Sequence, residues 1–296
     1  MKLDILIQDE LNHPSCFLIN KRLRTRCRYP IIALVHHLRS SEPHPLVQKK
    51  FFYSVEQQYL RSVDAFIFNS QNTKKVVEDL AGEKPAVVAY PGKDRLSSTI
   101  TCEEIMARAQ QPGPLRIIFV GNVIKHKGLH SLLDALRRVP KGAWTLTVVG
   151  DLSIDRAYKN MLLNQIKKNR MTEQVHLTGI VSDNGLIAHL KNSHVLVVPS
   201  AFEGFGLAYI EAMGFGLPAL GSTEGGGGEI IQHGRNGFLI KPGDSVSLAR
   251  YLNQLDRDRA MLLEMSLEAR QTYGQWPTWA TTTESIRNLL LSFVRH

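Results

Sequence analysis

The chain has 296 residues, 43% hydrophobic and 21% charged, with a formal net charge of +9. That is globular composition with room for one large or two medium domains. No apolar run is long enough to span a bilayer, and the opening "MKLDILIQDE" is too short and too acidic for a secretory signal. The positive charge favours an anionic partner: a phosphate ligand, nucleic acid or an acidic lipid surface. Cys16, Cys27 and Cys102 have no metal-ligand spacing, and their odd number argues against a disulfide framework. The expected location is therefore the reducing cytoplasm, free or held at the inner membrane surface.

In chain order the pattern alternates strand and helix. "LDILIQ" reads as the first strand. "CFLI" then leads into the basic run "NKRLRTRCR", Asn20 to Arg28. An apolar patch beside basic residues suits anionic lipid, and it equally fits a solvated face. No aromatic residue interleaves there, which argues against a nucleic-acid groove. "IIALVHH", "AFIFNS" and "AVVAY" are three further strands, and "AQQPGPLR", Ala109 to Arg116, reads as a linker. A second series follows: "RIIFVG", "TLTVVG", "VHLTG", "VLVVPS", "PALGS" and "GFLIKP". Helical patterns such as "LHSLLDALRRV" and "AYKNMLLNQIKKN" lie between them, and "ESIRNLLLSFV" is a last amphipathic helix. Short apolar strands alternating with helices predict parallel sheets covered on both faces. The expected fold is α/β: two doubly wound, Rossmann-like domains facing one another, with ligand bound at the strand carboxyl ends. The domains are expected at residues 1–110, 111–275 and, for the final helix packing back on the first domain, 276–296.

Three loops of the second series fall at strand carboxyl ends. The first, "VGNVIKHKG", carries Gly121, Asn122, Lys125 and Lys127 ahead of a helix that starts near Gly128. Lysines beside a helix N-terminus suit phosphate oxygens, and a solvated lysine pair has the same pattern. The second, "PSAFEGFGLAYIEAMG", places Glu203 just before a helix that begins after Gly206, with Glu211 about one turn inside it. The unpaired N–H groups of such a helix offer partial positive charge to an anion, and two carboxylates there can hold hydroxyls on whatever the anion carries. Solvated or capping glutamates account for the spacing equally well. The third, "GSTEGGGGEII", has four glycines before Glu229. They allow close backbone approach, an anion nest or a mobile loop.

Together these loops resemble the family 4 glycosyltransferases of the GT-B fold, which are retaining and metal-independent. The likeness rests on "VGNVIKHKGLHSLLDAL", "VVPSAFEGFGLAYIEAMGFGLPALGS", "GGGGEIIQHGRNGFLIKPGD" and "DAFIFNSQNTKK". It runs from about Leu3 to the C-terminus and is strongest from Leu115 to Asp244. The resemblance implies a nucleotide-sugar donor as substrate, no metal or other cofactor, and a glycan or lipid-linked acceptor. It implies that Glu203 approaches the donor sugar and that Glu211 hydrogen-bonds the ribose. The backbone of Gly204, Phe205, Gly206 and Leu207 would meet sugar and diphosphate, and Lys127 would bind the diphosphate. Ile180 and Val181 match the backbone on which the base stacks. Where members often carry an arginine after the first glycine, Gly121, this chain has Asn122, and Lys125 is the candidate substitute. "IIALVHHLRSSE" matches the His-containing loop at the reaction centre, with His36 the better match and His37 second.

The first series has only four strands and starts almost at Met1, so the resemblance implies an incomplete acceptor domain. Two readings follow: a transferase whose remaining part is supplied by another chain or lies outside this sequence, and a weak or silent donor-binding subunit; a partner chain or homo-oligomer would cover the incomplete domain. A sugar-nucleotide epimerase of the same fold ranks lower. A dehydrogenase is disfavoured because no strand is followed by G-x-G-x-x-G.

Overall fold

A computed structural model describes residues 4–25, 29–42 and 45–294. Residues 26–28 of the basic run, Cys27 among them, lie outside the described residues, whereas Cys16 and Cys102 are free thiols. The chain forms two compact units, Met1–Gly92 with Pro277–His296, and Lys93–Trp276.

The first unit opens with β1 (Leu6–Asp9), α1 (His13–Arg24), β2 (Ile31–Val35), α2 (Leu46–Ser62), β3 (Ala65–Phe68), α3 (Gln71–Ala81) and β4 (Ala86–Val88). Among its described residues, four parallel strands lie in sequential order, β1-β2-β3-β4. Alternation along β2 explains its two burial partners. Ile31, Ala33 and Val35 pack with Tyr59, Leu60 and Val77 from α2 and α3, while Ile32 faces the other way with Ala65 and Ile67.

The second unit holds α4 (Cys102–Gln110), β5 (Leu115–Val120), α5 (Leu129–Leu136), β6 (Trp144–Val149), α6 (Arg156–Lys168), β7 (Val175–Gly179), α7 (Asp183–Asn192), β8 (Val195–Val198), α8 (Leu207–Gly214), β9 (Ala219–Ser222), α9 (Gly227–Ile230), β10 (Gly237–Ile240), α10 (Ser245–Arg257) and α11 (Arg259–Gln275). Its six parallel strands run β10-β9-β8-β5-β6-β7. The order reverses at β5, which has β6 on one side and β8 on the other. The loops after β5 and β8 therefore open a crevice at their carboxyl ends.

The last helix, α12 (Trp279–Leu291), belongs to the first unit. Its Ile286, Leu289 and Leu290 cover the Ile32, Ala65 and Ile67 face of the sheet.

The unit boundary differs from the expected 110/111. It falls at Gly92 and Lys93, because α4 belongs to the second unit. Ile105 and Ala109 are buried there, and the buried Arg108 guanidinium donates to the carbonyls of Phe215 and Gly216, each at 2.8 Å. The Pro-Gly-Pro segment joins α4 to β5 within the second unit. No helix among the described residues is long and apolar enough to cross a membrane.

Candidate functional site

Three loops of the second unit converge by backbone hydrogen bonds. The Ala201 amide after β8 donates to the His126 carbonyl after β5, at 2.7 Å. Glu203 donates to the Glu224 carbonyl at 3.1 Å and accepts from the Gly226 amide at 2.8 Å, which ties the loop after β8 to the loop after β9. Glycine makes these approaches possible. Gly225 has φ +91°, and a Cβ there would stand 2.0 Å from the Glu203 carbonyl oxygen. Of the alternatives left open for the four-glycine loop, close backbone approach is the one observed.

Helix capping separates this region from the rest of the unit. The first turns of α4, α6, α7, α10 and α11 are capped by the side chains of Thr101, Asp155, Ser182, Asp244 and Asp258. By contrast α5, α8 and α9, which follow the three converging loops, start at Gly128, Gly206 and Gly226 with no side-chain cap. On α8 the amides of Leu207 and Ala208 have no acceptor among the described residues. Such N–H groups, at the positive end of a helix, suit an anionic or strongly polar ligand.

The charged side chains meet across the crevice. Lys127 is half-buried in a short turn after β5, and its Nζ donates to Glu203 Oε2 at 2.9 Å and Oε1 at 3.1 Å. Ser200 Oγ donates to the same Oε2 at 3.0 Å. Glu203 is buried, so this pairing offsets much of the cost of removing its charge from water. Gly204, Gly206 and Leu207 follow directly. The Phe205 ring is buried and tilted against Trp276 at 5.8 Å. Gly121 lies alongside the Lys127 chain, whereas Asn122 and Lys125 are exposed and have no ion pair among the described residues.

Glu211 is buried in the middle of α8 and is ion-paired through Oε1 with Arg95, from the segment before α4. Arg95 also bonds Asp183, the first residue of α7, at 2.9 Å. Ile180 and Val181 occupy the turn between β7 and that helix, with Ile180 three-quarters exposed. Arg95 and Asp183 were not anticipated. Arg95 sits in a polar turn and Asp183 in the first turn of α7, and nothing in the local pattern marks either.

His36 and His37 belong to the first unit, directly after β2. His36 Nε2 lies 3.4 Å from Asp9 Oδ2 at the end of β1, both partly exposed, and the His36 carbonyl accepts from Thr73 Oγ1 at 3.3 Å. His37 Nε2 pairs with Glu42 at 2.8 Å. Asp9 was likewise not anticipated.

The profile of the family described as glycosyl transferases group 1 matches residues 103–272, more than half of the chain. The chain belongs to this family. The match spans the whole crevice, from α4 through α11. Among curated relatives, the glycogen synthase of Mycobacterium tuberculosis is 27% identical over 266 residues, covering 87% of this chain and 62% of that protein. A D-rhamnosyltransferase of Pseudomonas aeruginosa is 26% identical over 265 residues, covering 83% of this chain and 67% of its own. This family member thus spans under two thirds of the glycogen synthase's length. Among solved structures, Anabaena HepE in complex with UDP and glucose aligns with a TM-score of 0.82 at 24% identity, over 98% of this chain and 78% of that one. Sucrose-phosphate synthase from Thermosynechococcus elongatus aligns with a TM-score of 0.82 at 21% identity, over 98% and 73%. At these identities the structural likeness shows the fold: two parallel-sheet, Rossmann-like units of the GT-B kind.

Proposed function

We propose that the chain transfers a sugar from a nucleotide-diphosphate donor to a glycan or lipid-linked acceptor, with retention at the anomeric carbon. The observation that carries this reading is the meeting of Lys127 and Glu203 across the β5/β8 crevice, beside the uncapped start of α8 and with Glu211 one turn further on. Family membership and the naming of the relatives above as a synthase and a rhamnosyltransferase support it. In this reading the donor diphosphate competes with Glu203 for Lys127. Charge then develops on the leaving diphosphate as the glycosidic bond breaks, and Lys127 with the α8 amides stabilises it without a metal. Glu203, released from its cation, accepts from the sugar hydroxyls, and Glu211 accepts from the ribose. His36 acts on the acceptor side, either handling a proton or positioning the sugar.

Calorimetry with UDP, GDP and ADP, with and without EDTA, tests the donor site. At least one should bind, and EDTA should not change its affinity. Lys127→Ala should weaken it by roughly 1.5–3 kcal/mol. Glu211→Gln should weaken the nucleotide, whereas Glu203→Gln should leave it unchanged or tighter while impairing turnover of the sugar nucleotide. Heat from none of the three nucleotides sinks the reading. Equal loss of nucleotide affinity in both glutamate variants sinks the division of roles.

The acceptor side supports a place at an anionic membrane surface. Leu18 and Ile19 on α1, and Leu46, Val47 and Phe51 on α2, are exposed beside Lys21, Arg22, Lys49 and Lys50. These two helices pack against each other. Exposed apolar side chains among cations suit the headgroup region of acidic lipid. The chain should co-sediment with phosphatidylglycerol vesicles and much less with phosphatidylcholine vesicles, and Phe51→Ser with Lys49→Glu should abolish the difference. Equal binding to both vesicle types would remove this part of the proposal.

A further inference from the structure

Glu211, Arg95 and Asp183 come from three segments, and only the fold brings them together. Arg95 Nε donates to Glu211 Oε1, and Arg95 Nη1 donates to Asp183 Oδ1 at 2.9 Å. The guanidinium thus spends two different edges on two carboxylates instead of forking onto one. Glu211 is only 6% exposed, yet its Oε2 has no donor among the described residues. One oxygen of a buried carboxylate is fixed in place, and the other remains an acceptor. A buried carboxylate needs a cation beside it, and Arg95 both supplies that cation and sets the orientation of the group.

Charge decides what such an acceptor takes. Two carboxylates and one guanidinium leave the cluster net negative, so it repels phosphate and attracts a hydroxyl donor. The diphosphate belongs instead with Lys127 and the uncapped helix starts. Asp183 opens the helix that follows Ile180 and Val181, so the cluster stands beside the turn matched to the nucleotide base. Arg95 itself is 41% exposed along its side chain and is no part of the core, which argues against a purely packing role.

We propose that Arg95 is a positioning residue for the nucleotide's ribose. By holding Oε1 of Glu211, it aims Oε2 at a ribose hydroxyl and makes the site demand a ribonucleotide. This inference rests on the nucleotide-sugar reading above. The opposite arrangement, in which Arg95 covers Glu211 and must leave before a nucleotide binds, predicts tighter binding once Arg95 is removed. A site built to bond a hydroxyl rejects the analogue that lacks it, so sugar discrimination is the readout that a merely structural role would not move.

The test is calorimetry on the full chain with UDP, GDP and ADP, each beside its 2′,3′-dideoxy form. The wild-type chain should prefer the ribonucleotide of at least one pair. Arg95→Met should weaken that ribonucleotide roughly ten- to hundred-fold and the dideoxy form less than about three-fold, so that the preference collapses. Arg95→Lys keeps the charge but loses the planar fork, and it should recover only part of the preference. In a Glu211→Gln background, Arg95→Met should add little, because the two residues act through one bond. Tighter or unchanged binding in Arg95→Met overturns the inference, as does an equal loss for both sugar forms. If the wild-type chain binds none of the nucleotides, the nucleotide-sugar reading falls and the inference falls with it. Wild-type binding that survives Arg95→Met with its ribose preference intact overturns the inference alone.

Discussion

Two loops at strand carboxyl ends carry the candidate chemistry, and they are held in different ways. In the second unit, the loop from Pro199 to Gly206 is fixed by its backbone: Ala201 bonds His126, Glu203 bonds Glu224 and Gly226, and glycines at 128 and 225 allow the close approach. Its candidate carboxylate, Glu203, is buried and paired. In the first unit, the loop after β2 presents His36 about two-fifths exposed, against an equally exposed Asp9. Backbone-held geometry makes the first arrangement rigid, and its disruption costs stability and function together. A partly exposed pair contributes little to stability, so a change there should leave stability almost untouched.

Breaking the rigid loop should have the largest effect. Gly225→Ala places a Cβ 2.0 Å from the Glu203 carbonyl oxygen at a left-handed φ of +91°. Strain and forced separation of the two loops should together cost about 3–5 kcal/mol. A large fall in Tm and loss of nucleotide binding are expected. Gly228→Ala is the matched control: its nearest neighbour is Leu239 at 4.0 Å, and its stability should change by no more than about 0.5 kcal/mol. If Gly225→Ala folds and binds like Gly228→Ala, the contrast between the two loops is false.

A second contrast lies between two histidines. Unlike His36, His194 is buried, just before β8. Its Nδ1 accepts from the Arg116 amide at 3.0 Å, and its Nε2 donates to the Arg108 carbonyl at 3.0 Å. The first of these bonds requires the neutral ring. Burial, then the nearby guanidinium groups of Arg116, Arg259 and Arg108, push its pKa down to about 3. The unfolded chain protonates this histidine near pH 6.5, and the folded chain does not. Its contribution to stability is therefore complete above about pH 6.5 and is lost as the pH falls toward 3, reaching a loss of about 2–3 kcal/mol by about pH 4.5. Urea melts of wild type and His194→Gln between about pH 7.5 and 4.5 should converge toward acid pH. Parallel profiles would mean that the ring is not held neutral.

The same difference decides what could be read from sequence. All ten strands among the described residues were legible because each is a short apolar run bounded by turn residues, and the glycines that build the crevice were visible as glycines. Lys127 and Glu203 stood out singly, but their pairing joins residues 76 positions apart across two strands, and no periodicity reports it. Arg95 lies in "YPGKDRLSS", a polar turn like any other, and reaches Glu211 only through the fold. Arg108 was hidden for the opposite reason. An arginine in "CEEIMARAQ" gives no local sign of burial, yet Arg108 is buried on backbone carbonyls, which carries α4 into the second unit and moves the boundary.

A small structural effect should come from Asp9→Asn. The pair it breaks is partly exposed at 3.4 Å, and such pairs contribute at most about 1 kcal/mol. Tm should therefore barely move. If His36 serves the reaction as proposed, its orientation still matters, because the Thr73 bond fixes only its backbone carbonyl and leaves the ring to Asp9. The amide that replaces the carboxylate can still bond the ring, but it brings no negative charge to it. The initial rate of sugar transfer should fall about ten-fold, well short of the roughly 10²–10⁴-fold that removing a general acid or base brings. A large drop in Tm would make Asp9 a structural residue. An unchanged rate in a stable variant would mean that the exposed pair positions nothing, and that the loop after β2 acts through its backbone as the loop after β8 does.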